Sequence, residues 1–350
     1  MKAVITGVAG FIGSHLARKL LARGWEITGV DAMTDYYARA EKEEHLKDLF
    51  SFKRFTFIKG NILEIEWVNP LKDAEAVFHL AAQPGVRASW GKTFAEYTTN
   101  NVLATQVLLH NCVGSKLKKF IYASSSSIYG DAGTLPTPET ALPRPTSPYG
   151  VTKLAGEHLC YLYWRNFGVP CVSLRYFTVY GPGQRPDMAL CKLIASQLNG
   201  RAFQIFGDSR QTRDFTYVSD IVNGTVLAWE RGAPGEVYNL GGGSRISLNE
   251  VLALAAGLTG KKPLVEYRES QKGDVRNTAA DISRARRELK YEPMVAIAEG
   301  LQQYWQWACE RGNGQADILH KEENICSSAS AKRFQTSFRK KSINTKKNKL

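Results

Sequence analysis

The first half of the chain alternates short apolar runs with segments of helical periodicity. The apolar runs that predict strands lie at 3–6, 26–31, 55–60, 76–81, 119–124 and 171–177. Helical patterns occupy residues near 12–23 and 94–112, and a third begins at Tyr149. Strands that alternate with helices are typical of a doubly wound parallel sheet. The pattern therefore predicts an α/β protein built on a Rossmann sheet.

Beyond Gly181 this alternation gives way to loops rich in proline and glycine, with amphipathic stretches near 188–199 and 247–259. No linker or internal repeat marks independent domains. We therefore expect a smaller C-terminal substrate lobe that is interleaved with the first. The predicted division is 1–176 for the Rossmann domain, with 214–242 returning to it, 177–312 for the substrate lobe and 313–350 for a basic tail.

The basic charge of the chain is concentrated at its end. The formal net charge is +13, but residues 331–350 contain eight Lys or Arg and no acid. The other 330 residues carry only +5, which is ordinary for a protein that handles anionic ligands. We expect residues 313–350 to be disordered, and we expect no nucleic-acid partner.

Six cysteines lie far apart, without a CxxC pair or histidines at metal-ligand spacing. This argues against zinc and against a disulfide framework, and we expect no metal site. The chain starts directly with a strand, and no run of about 18 apolar residues follows. These patterns predict a cytoplasmic protein without a membrane span.

Three glycines, Gly7, Gly10 and Gly13, follow the first predicted strand and open a helix. Such a turn allows backbone N–H groups and a helix N-terminus to approach a pyrophosphate. Asp31 ends the second strand, 18 residues after Gly13. A carboxylate there accepts both ribose hydroxyls and repels a 2′-phosphate, which predicts NAD rather than NADP.

A second set of residues suggests proton transfer. Tyr149 and Lys153 are i and i+4 on a predicted helix, so they share a face within about 5–6 Å. Ser125 ends the preceding strand and can reach the same point. A tyrosine exchanges protons with a hydroxyl only if its pKa falls from about 10 toward neutrality. A nearby ammonium and the positive ring of NAD⁺ could stabilise the phenolate.

Together the motifs "GVAGFIG", "HLAA", "SSSSIYG", "YGVTK", "RYFTVYGP" and "RDFTYVSD" resemble the extended short-chain dehydrogenase/reductase family of nucleotide-sugar epimerases and dehydratases, over roughly residues 1–310. The resemblance implies a tightly held NAD⁺ that oxidises the sugar C4 hydroxyl and then returns the hydride to a 4-keto intermediate. It also implies that Ser125, Tyr149 and Lys153 form the catalytic triad, with Tyr149 as the base.

The same resemblance implies a set of cofactor-binding residues. These are Gly7, Gly10, Phe11, Ile12, Gly13, Asp31, Asn61, Ile62, Leu80, Ala81, Ala82, Tyr149, Lys153 and Tyr176. Asn61 departs from the family pattern, which has an aspartate near the adenine. The family also implies a homodimer built from the helices near 94–112 and 149–167.

The serines at 125–127 bear on the reaction type. Sugar 4,6-dehydratases and UDP-glucuronate decarboxylases resemble "TDEVYG" and "TSEVYG" at these positions. The first motif has acids where this chain has Ser126 and Ser127, and the second has an acid where it has Ser127. Eliminating water needs an acid and a base besides the tyrosine, and serine hydroxyls cannot replace them. Simple epimerisation needs neither, so the motif favours an epimerase.

Residues 175–188 carry the most information about the substrate. The pattern "FTVYGPxxRPDM" and the segment "GVRASWG" resemble UDP-glucuronate 4-epimerases, which convert UDP-glucuronate to UDP-galacturonate. Ser126, Ser127, Thr178 and Arg185 would provide hydrogen-bond donors to the substrate carboxylate. By the same resemblance the UDP group is bound by Arg87, Gln204, Phe206, Arg213 and Arg276.

Several alternatives remain at this point. UDP-glucose/UDP-galactose 4-epimerase, UDP-glucuronate decarboxylase and a 5-epimerase use related chemistry on the same scaffold. A catalytically idle NAD-binding scaffold belongs to a different class, although such a protein has no reason to keep Ser125, Tyr149 and Lys153.

Overall fold

A computed structural model describes residues 1–243 and 245–311 of the chain. The strands in it are β1 (Lys2–Thr6), β2 (Glu26–Asp31), β3 (Phe55–Lys59), β4 (Ala76–His79), β5 (Lys119–Ser125), β6 (Cys171–Tyr176), β7 (Thr178–Tyr180), β8 (Phe203–Phe206), β9 (Thr212–Tyr217), β10 (Val237–Leu240), β11 (Arg245–Ser247) and β12 (Val265–Arg268). The predicted tail at 313–350 lies outside the described residues.

The helices are α1 (Phe11–Ala22), α2 (Arg39–Lys47), α3 (Val68–Leu71), α4 (Phe94–Tyr97), α5 (Ala104–Asn111), α6 (Pro148–Phe167), α7 (Ala189–Asn199), α8 (Val218–Arg231), α9 (Leu248–Thr259) and α10 (Ile297–Glu310). No helix among the described residues is long and apolar enough to cross a membrane. The cytoplasmic location stays a prediction.

Seven strands form one parallel sheet in the order β10-β6-β5-β4-β1-β2-β3. The chain moves outward from β1 through β2 to β3, and then returns to the other side of β1 with β4. Ligands of doubly wound sheets bind at this reversal, outside the carboxyl ends of the strands. The predicted fold class, a Rossmann-type α/β protein, is confirmed.

Two small sheets lie outside the large one, in the orders β11-β9-β7 and β12-β8. Between β9 and β11 the chain goes back to the large sheet, where α8 packs against α1 and β10 pairs with β6. The two parts of the chain are therefore interleaved. The residue limits that we expect for the domains stay a prediction.

The helix α6 lies unusually close to β5 because Gly156 faces that strand. A Cβ atom at Gly156 would collide with the hydroxyl of Tyr122, a fully buried residue of β5. Close helix-to-strand packing of this kind requires glycine. It fixes the height of the N-terminal turns of α6 above the carboxyl end of the sheet.

The segment predicted as one helix near 94–112 contains a widened turn. Residues Thr98–Leu103 form a π-helical turn between α4 and α5. Within it the side chain of Asn101 donates to Thr152 Oγ1 at 2.9 Å and to the carbonyl of Gln83 at 3.0 Å. Asn101 also accepts from the Gln83 N–H at 2.7 Å. Through these hydrogen bonds of Asn101, the turn connects the loop after β4 to α6.

Candidate active site

The glycine loop after β1 has the shape of an anion site. Gly7 has φ +73°, and a Cβ there would lie 2.7 Å from the backbone nitrogen of Ala81. A Cβ at Gly13 would collide with the carbonyl of Gly7. No side chain caps α1, and its first turn contains no acid, so its N–H groups and its dipole are available to a ligand.

Asp31 ends β2 beside this loop, as the sequence predicts. Its carboxylate accepts the backbone N–H of Ala9 at 3.1 Å and that of Met33 at 2.8 Å. The side chain is therefore held in place before any ribose binds. A carboxylate with two oxygens keeps lone pairs free for further donors. The residues present fit a pyrophosphate and an adenosine ribose.

The other predicted cofactor residues surround the same crevice. Ala81 donates its N–H to Thr6 Oγ1 at 3.3 Å, which holds the loop of Leu80, Ala81 and Ala82 against β1. Asn61 uses its carboxamide oxygen locally, since that oxygen accepts from the Leu63 N–H at 3.1 Å.

Tyr176 is buried at the end of β6, and its hydroxyl lies 2.7 Å from that of Thr225. Ile62 and Phe11 are buried and Ile12 is half-buried, so these three shape the walls of the crevice.

Tyr149 lies in the first turn of α6. Ser147 caps this helix by accepting the N–H of Gly150 at 3.1 Å, and Pro148 follows it as the first helical residue. The Ser125 hydroxyl accepts from the Ser127 N–H at 3.1 Å and lies near Tyr149. Burial raises the pKa of Tyr149, while Arg185 and Ser125 act in the opposite direction.

Lys153 lies one turn further along α6 and is buried. Its ammonium donates to the carbonyl of Ala123 at 2.8 Å and lies 5.2 Å from the centre of the Tyr122 ring. Burial lowers the pKa of Lys153 to about 8, and Cys160 and Glu157 act in the opposite direction. The charge of Lys153 is therefore sensitive to its surroundings near neutral pH.

Arg185 is the cation whose charge opposes the rise in the pKa of Tyr149. Asp187 binds its guanidinium with two hydrogen bonds, each of 2.9 Å. Tyr36 donates to the same carboxylate at 3.3 Å. Neither Asp187, which lies in the "RPDM" segment, nor Tyr36 was predicted as a site residue. The spacing of Arg185 and Asp187 was the available signal, whereas Tyr36 is distant in the chain.

The predicted carboxylate donors lie at one edge of the sheet. Ser126 and Ser127 form a short helical turn directly after β5, and Thr178 begins β7 just beyond β6. Ser125 pairs in register with Tyr176, which brings these strand ends side by side. All three donors are partly exposed, so they can reach a ligand above the sheet.

The predicted nucleotide residues gather on the other side of the crevice. Arg87 binds Asp274 at 2.7 and 3.3 Å, and its guanidinium lies 4.1 Å from the centre of the Phe206 ring. Gln204 is exposed and two residues before Phe206 on β8, so both side chains lie on the same face of the strand.

Arg213 donates to the carbonyls of Thr212 at 2.9 Å and Arg276 at 3.1 Å, which brings two predicted diphosphate residues together. Burial lowers the pKa of Arg213, and Asp274 and Asp131 oppose this. The side chain of Arg276 instead binds Asp208 at 3.0 Å. Arg87 and Arg213 therefore both lie near Asp274, a carboxylate that a diphosphate could replace, whereas the guanidinium of Arg276 is bound to Asp208.

Two buried charged residues were missed by the sequence analysis. Glu157 and Arg175 are 5% and 6% exposed and form an ion pair. Ser124, which precedes Ser125, donates to Glu157, so the pair lies beside the predicted catalytic face, the group of Ser125, Tyr149 and Lys153. Glu157 is four residues after Lys153 on α6, and this spacing was the only signal in the sequence.

The fold and the site together define a Rossmann protein of the short-chain dehydrogenase/reductase type. Residues 3–241 match the model of the NAD dependent epimerase/dehydratase family, and the chain belongs to this family. The resemblance inferred from the motifs is confirmed.

Several known proteins are similar to the chain over most of its length. The UDP-glucuronate 4-epimerase of Thermodesulfobacterium geofontis is 38% identical over 311 residues, covering 88% of this chain and 96% of that protein. An uncharacterized UDP-glucose epimerase of Bacillus subtilis is 44% identical over 303 residues, covering 86% and 96%. The crystal structure of Bacillus cereus UDP-glucuronic acid 4-epimerase with UDP-glucuronic acid and NAD has a TM-score of 0.86 and 44% identity, covering 89% and 99%.

Proposed function

We propose that this chain is an NAD-dependent 4-epimerase that interconverts UDP-glucuronate and UDP-galacturonate. The observation that carries the proposal is the grouping of Ser125, at the end of β5, with Tyr149 and Lys153, in the first turns of α6. The positions next to this group carry hydroxyls and Arg185 instead of further carboxylates. When bound, NAD⁺ would supply the hydride acceptor for oxidation at the sugar C4, and its reduced form would supply the hydride for the return step. The 44% identity to an epimerase that binds both UDP-glucuronic acid and NAD supports this assignment.

The side chains of the catalytic face move the proton. Tyr149 removes the proton of the C4 hydroxyl and later gives it back, while the neighbouring Ser125 favours the phenolate form of Tyr149. The ammonium of Lys153 and the guanidinium of Arg185 favour the phenolate that this requires. Both faces of the ketone can be reduced if the sugar turns over between the two transfers.

The cofactor would be held by the glycine loop and the loop after β4. Gly7, Gly10 and Gly13 with the N-terminus of α1 would bind the pyrophosphate, and Asp31 the adenosine ribose. The substrate's UDP group would lie on the side of Arg87, Phe206 and Arg213.

The hydroxyls at the edge of the sheet protect the substrate. With a ketone at C4, glucuronate is a β-keto acid, which loses CO₂ when the carboxylate bond aligns with the carbonyl π system. Ser126, Ser127, Thr178 and Arg185 would hold the carboxylate out of this alignment. They also distinguish this site from one that dehydrates a sugar, because none of them is a carboxyl group.

The similarity to a UDP-glucose epimerase of Bacillus subtilis keeps UDP-glucose as the second candidate. Proton NMR of purified protein with UDP-glucuronate, without added cofactor, separates the two. We expect the anomeric signal of UDP-galacturonate to grow to an equilibrium mixture. A UDP-pentose signal would instead establish a decarboxylase. An unchanged spectrum, with turnover of UDP-glucose in a parallel sample, would overturn the substrate assignment.

The role of Thr178 can be tested separately. Replacing Thr178 with Ala should weaken UDP-glucuronate binding or allow UDP-pentose to form, because one carboxylate donor is lost. Thr56→Ala is the matched control, since Thr56 is exposed on β3 at the opposite end of the sheet. If Thr178→Ala has unchanged affinity and products, Thr178 does not hold the carboxylate.

The predicted homodimer is part of the proposal. Val151 and Leu162 are 47% and 46% exposed on α6 and lie three helical turns apart on one face. Phe94 and Leu103 are exposed on the neighbouring helix at 38% and 49%. A second copy of the chain would cover this apolar face. Light scattering should give twice the monomer mass for the native chain and a lower mass for Leu162→Asp; a monomeric native chain would contradict it.

A further inference from the structure

Glu157 and Arg175 form a buried ion pair with two parallel hydrogen bonds. Arg175 Nη2 donates to Glu157 Oε2 at 2.8 Å, and Arg175 Nε donates to Oε1 at 3.0 Å. Taking such a pair out of water is costly, and apolar residues of similar size would usually give equal or greater stability. Its presence beneath the catalytic face therefore calls for a role besides packing.

The pair joins the three elements that carry the catalytic face. Ser124, next to Ser125 on β5, donates to Glu157 Oε1 at 2.5 Å. Arg175 precedes Tyr176 on β6 and also donates to the hydroxyl of Tyr129 at 2.7 Å. Glu157 itself is on α6, one turn from Lys153. A shift of any one element would break a hydrogen bond to this carboxylate.

The charge of Glu157 also acts on Lys153. Both residues lie on the face of α6 that packs against the sheet, and both are buried. Burial alone lowers the pKa of Lys153, and Glu157 is one of the two groups that oppose this. The carboxylate thus favours the ammonium form at the position where it is needed beside the phenolate.

We propose that Glu157, oriented by Arg175, is a positioning residue that keeps Lys153 charged and α6 in register with β5 and β6. The kinetic part of this inference rests on the proposed epimerase reaction, whereas the charge state of Lys153 can be measured without it.

Other ionisable groups near Lys153 must be considered in any pH experiment. They are Tyr149, Glu157 and Cys160 on α6, Tyr122 on β5, His79 on β4 and Arg175 on β6. Burial keeps the pKa of His79 at about 3, so this ring does not titrate above pH 6. Glu157 is the carboxylate among these groups. Replacing it with a neutral residue therefore tests directly whether its charge raises the pKa of Lys153.

The first experiment is an NMR titration of ¹³C-lysine-labelled protein. The Lys153 resonance is identified by its loss in Lys153→Arg. We expect Glu157→Gln to lower the pKa of Lys153 by about one unit, because a buried charge that favours the ammonium is removed. Glu139→Gln is the matched control: Glu139 is a half-buried carboxylate that accepts from Asn239 in the same network but is not on α6. An unchanged Lys153 titration in Glu157→Gln would overturn the inference.

The second experiment is the pH profile of kcat. Lys153 is charged below its pKa, so lowering that pKa moves the alkaline fall of activity to lower pH. For a shift of one unit, kcat of Glu157→Gln should be about tenfold lower than the native value at pH 9 and within about twofold at pH 6. A purely structural role predicts an equal loss at every pH.

If Glu157→Gln does not fold, the double variant Glu157→Leu with Arg175→Met replaces the pair by apolar side chains and tests the same shift. If the native protein is inactive on UDP-sugars, the proposed function is rejected, but the NMR titration of Lys153 still tests the role of Glu157. A double variant whose Lys153 titrates like the native residue would reject the inference.

Discussion

The catalytic face and the nucleotide side of the crevice use charge in opposite ways. On the catalytic face, Lys153 is buried and the Glu157–Arg175 pair is 5–6% exposed. On the nucleotide side, Arg87 and Asp274 are 45% and 31% exposed, and Arg276 and Asp208 are 65% and 49% exposed. The buried charges of the catalytic face cannot change partners without loss of the fold. The exposed charges of the nucleotide side can change partners.

This difference matches what each side has to do. Exposed ion pairs contribute little to stability, so an incoming diphosphate can replace the carboxylates at little cost. A buried carboxylate or ammonium loses several hydrogen bonds if its partner leaves, and no water compensates for them. With the proposed function, the protein would bind its substrate with exchangeable charges and hold its proton-transfer groups with permanent ones.

The largest effect is expected at the catalytic face itself. Tyr149→Phe removes the proton acceptor and keeps the ring, so kcat should fall by about 10³-fold. Tyr97→Phe is a control, because Tyr97 contacts the Tyr149 ring and its hydroxyl binds the carbonyls of Pro84 and Gly85. Steady-state turnover of UDP-glucuronate measures both. Equal losses in the two variants would show that the phenol of Tyr149 is not the base.

The second prediction concerns stability. Arg175→Met leaves Glu157 buried without its partner and should lower the free energy of unfolding by about 3–5 kcal/mol. Arg276→Met removes an exposed partner and should change it little. Denaturant unfolding of both variants measures the difference. A large loss in Arg276→Met would mean that the nucleotide side also depends on fixed charge pairs.

The smallest effect is expected in nucleotide binding. Arg213→Met should weaken UDP binding by about 10- to 100-fold, as expected for loss of a charge-assisted hydrogen bond. Calorimetry with UDP at low and high salt measures this, and the native affinity should fall with salt more steeply than that of the variant. Arg39→Met is the control, because Arg39 forms an exposed ion pair with Glu43 on α2. Unchanged UDP affinity would remove Arg213 from the site.

The inner strands β1, β4 and β5 of the large sheet could be predicted from the sequence because they consist mainly of buried apolar residues. β2 was predicted with the bounds that it has, and β5 and β6 differ by one residue. α10 was missed, although Leu301, Tyr304 and Ala308 follow helical spacing and are buried. Trp305 belongs to the same face, whereas Trp307 lies outside it and obscures the period.

In the candidate site, too, the sequence reveals local spacing but not contacts between distant residues. Motif positions such as Gly7, Asp31 and Tyr149 depend on local spacing, which a sequence displays directly. The roles of Tyr36 and Arg175 depend on contacts with Asp187 and Glu157, which are 151 and 18 residues away. Such pairs are defined only when the strands have been ordered in the sheet, so local patterns do not reveal them.

The π-helical turn at Thr98–Leu103 means that the helical segment contains one residue more than regular α-helical hydrogen bonding would use there. Deleting a single residue within it would restore regular bonding, while the helical turns on either side would keep their present faces. The change would fall on contacts made from within the turn, such as those of Asn101 with Gln83. This segment should therefore accept a loss of one residue more readily than the regular helices do, and an alignment with a relative whose helix is regular here should place a one-residue gap within Thr98–Leu103.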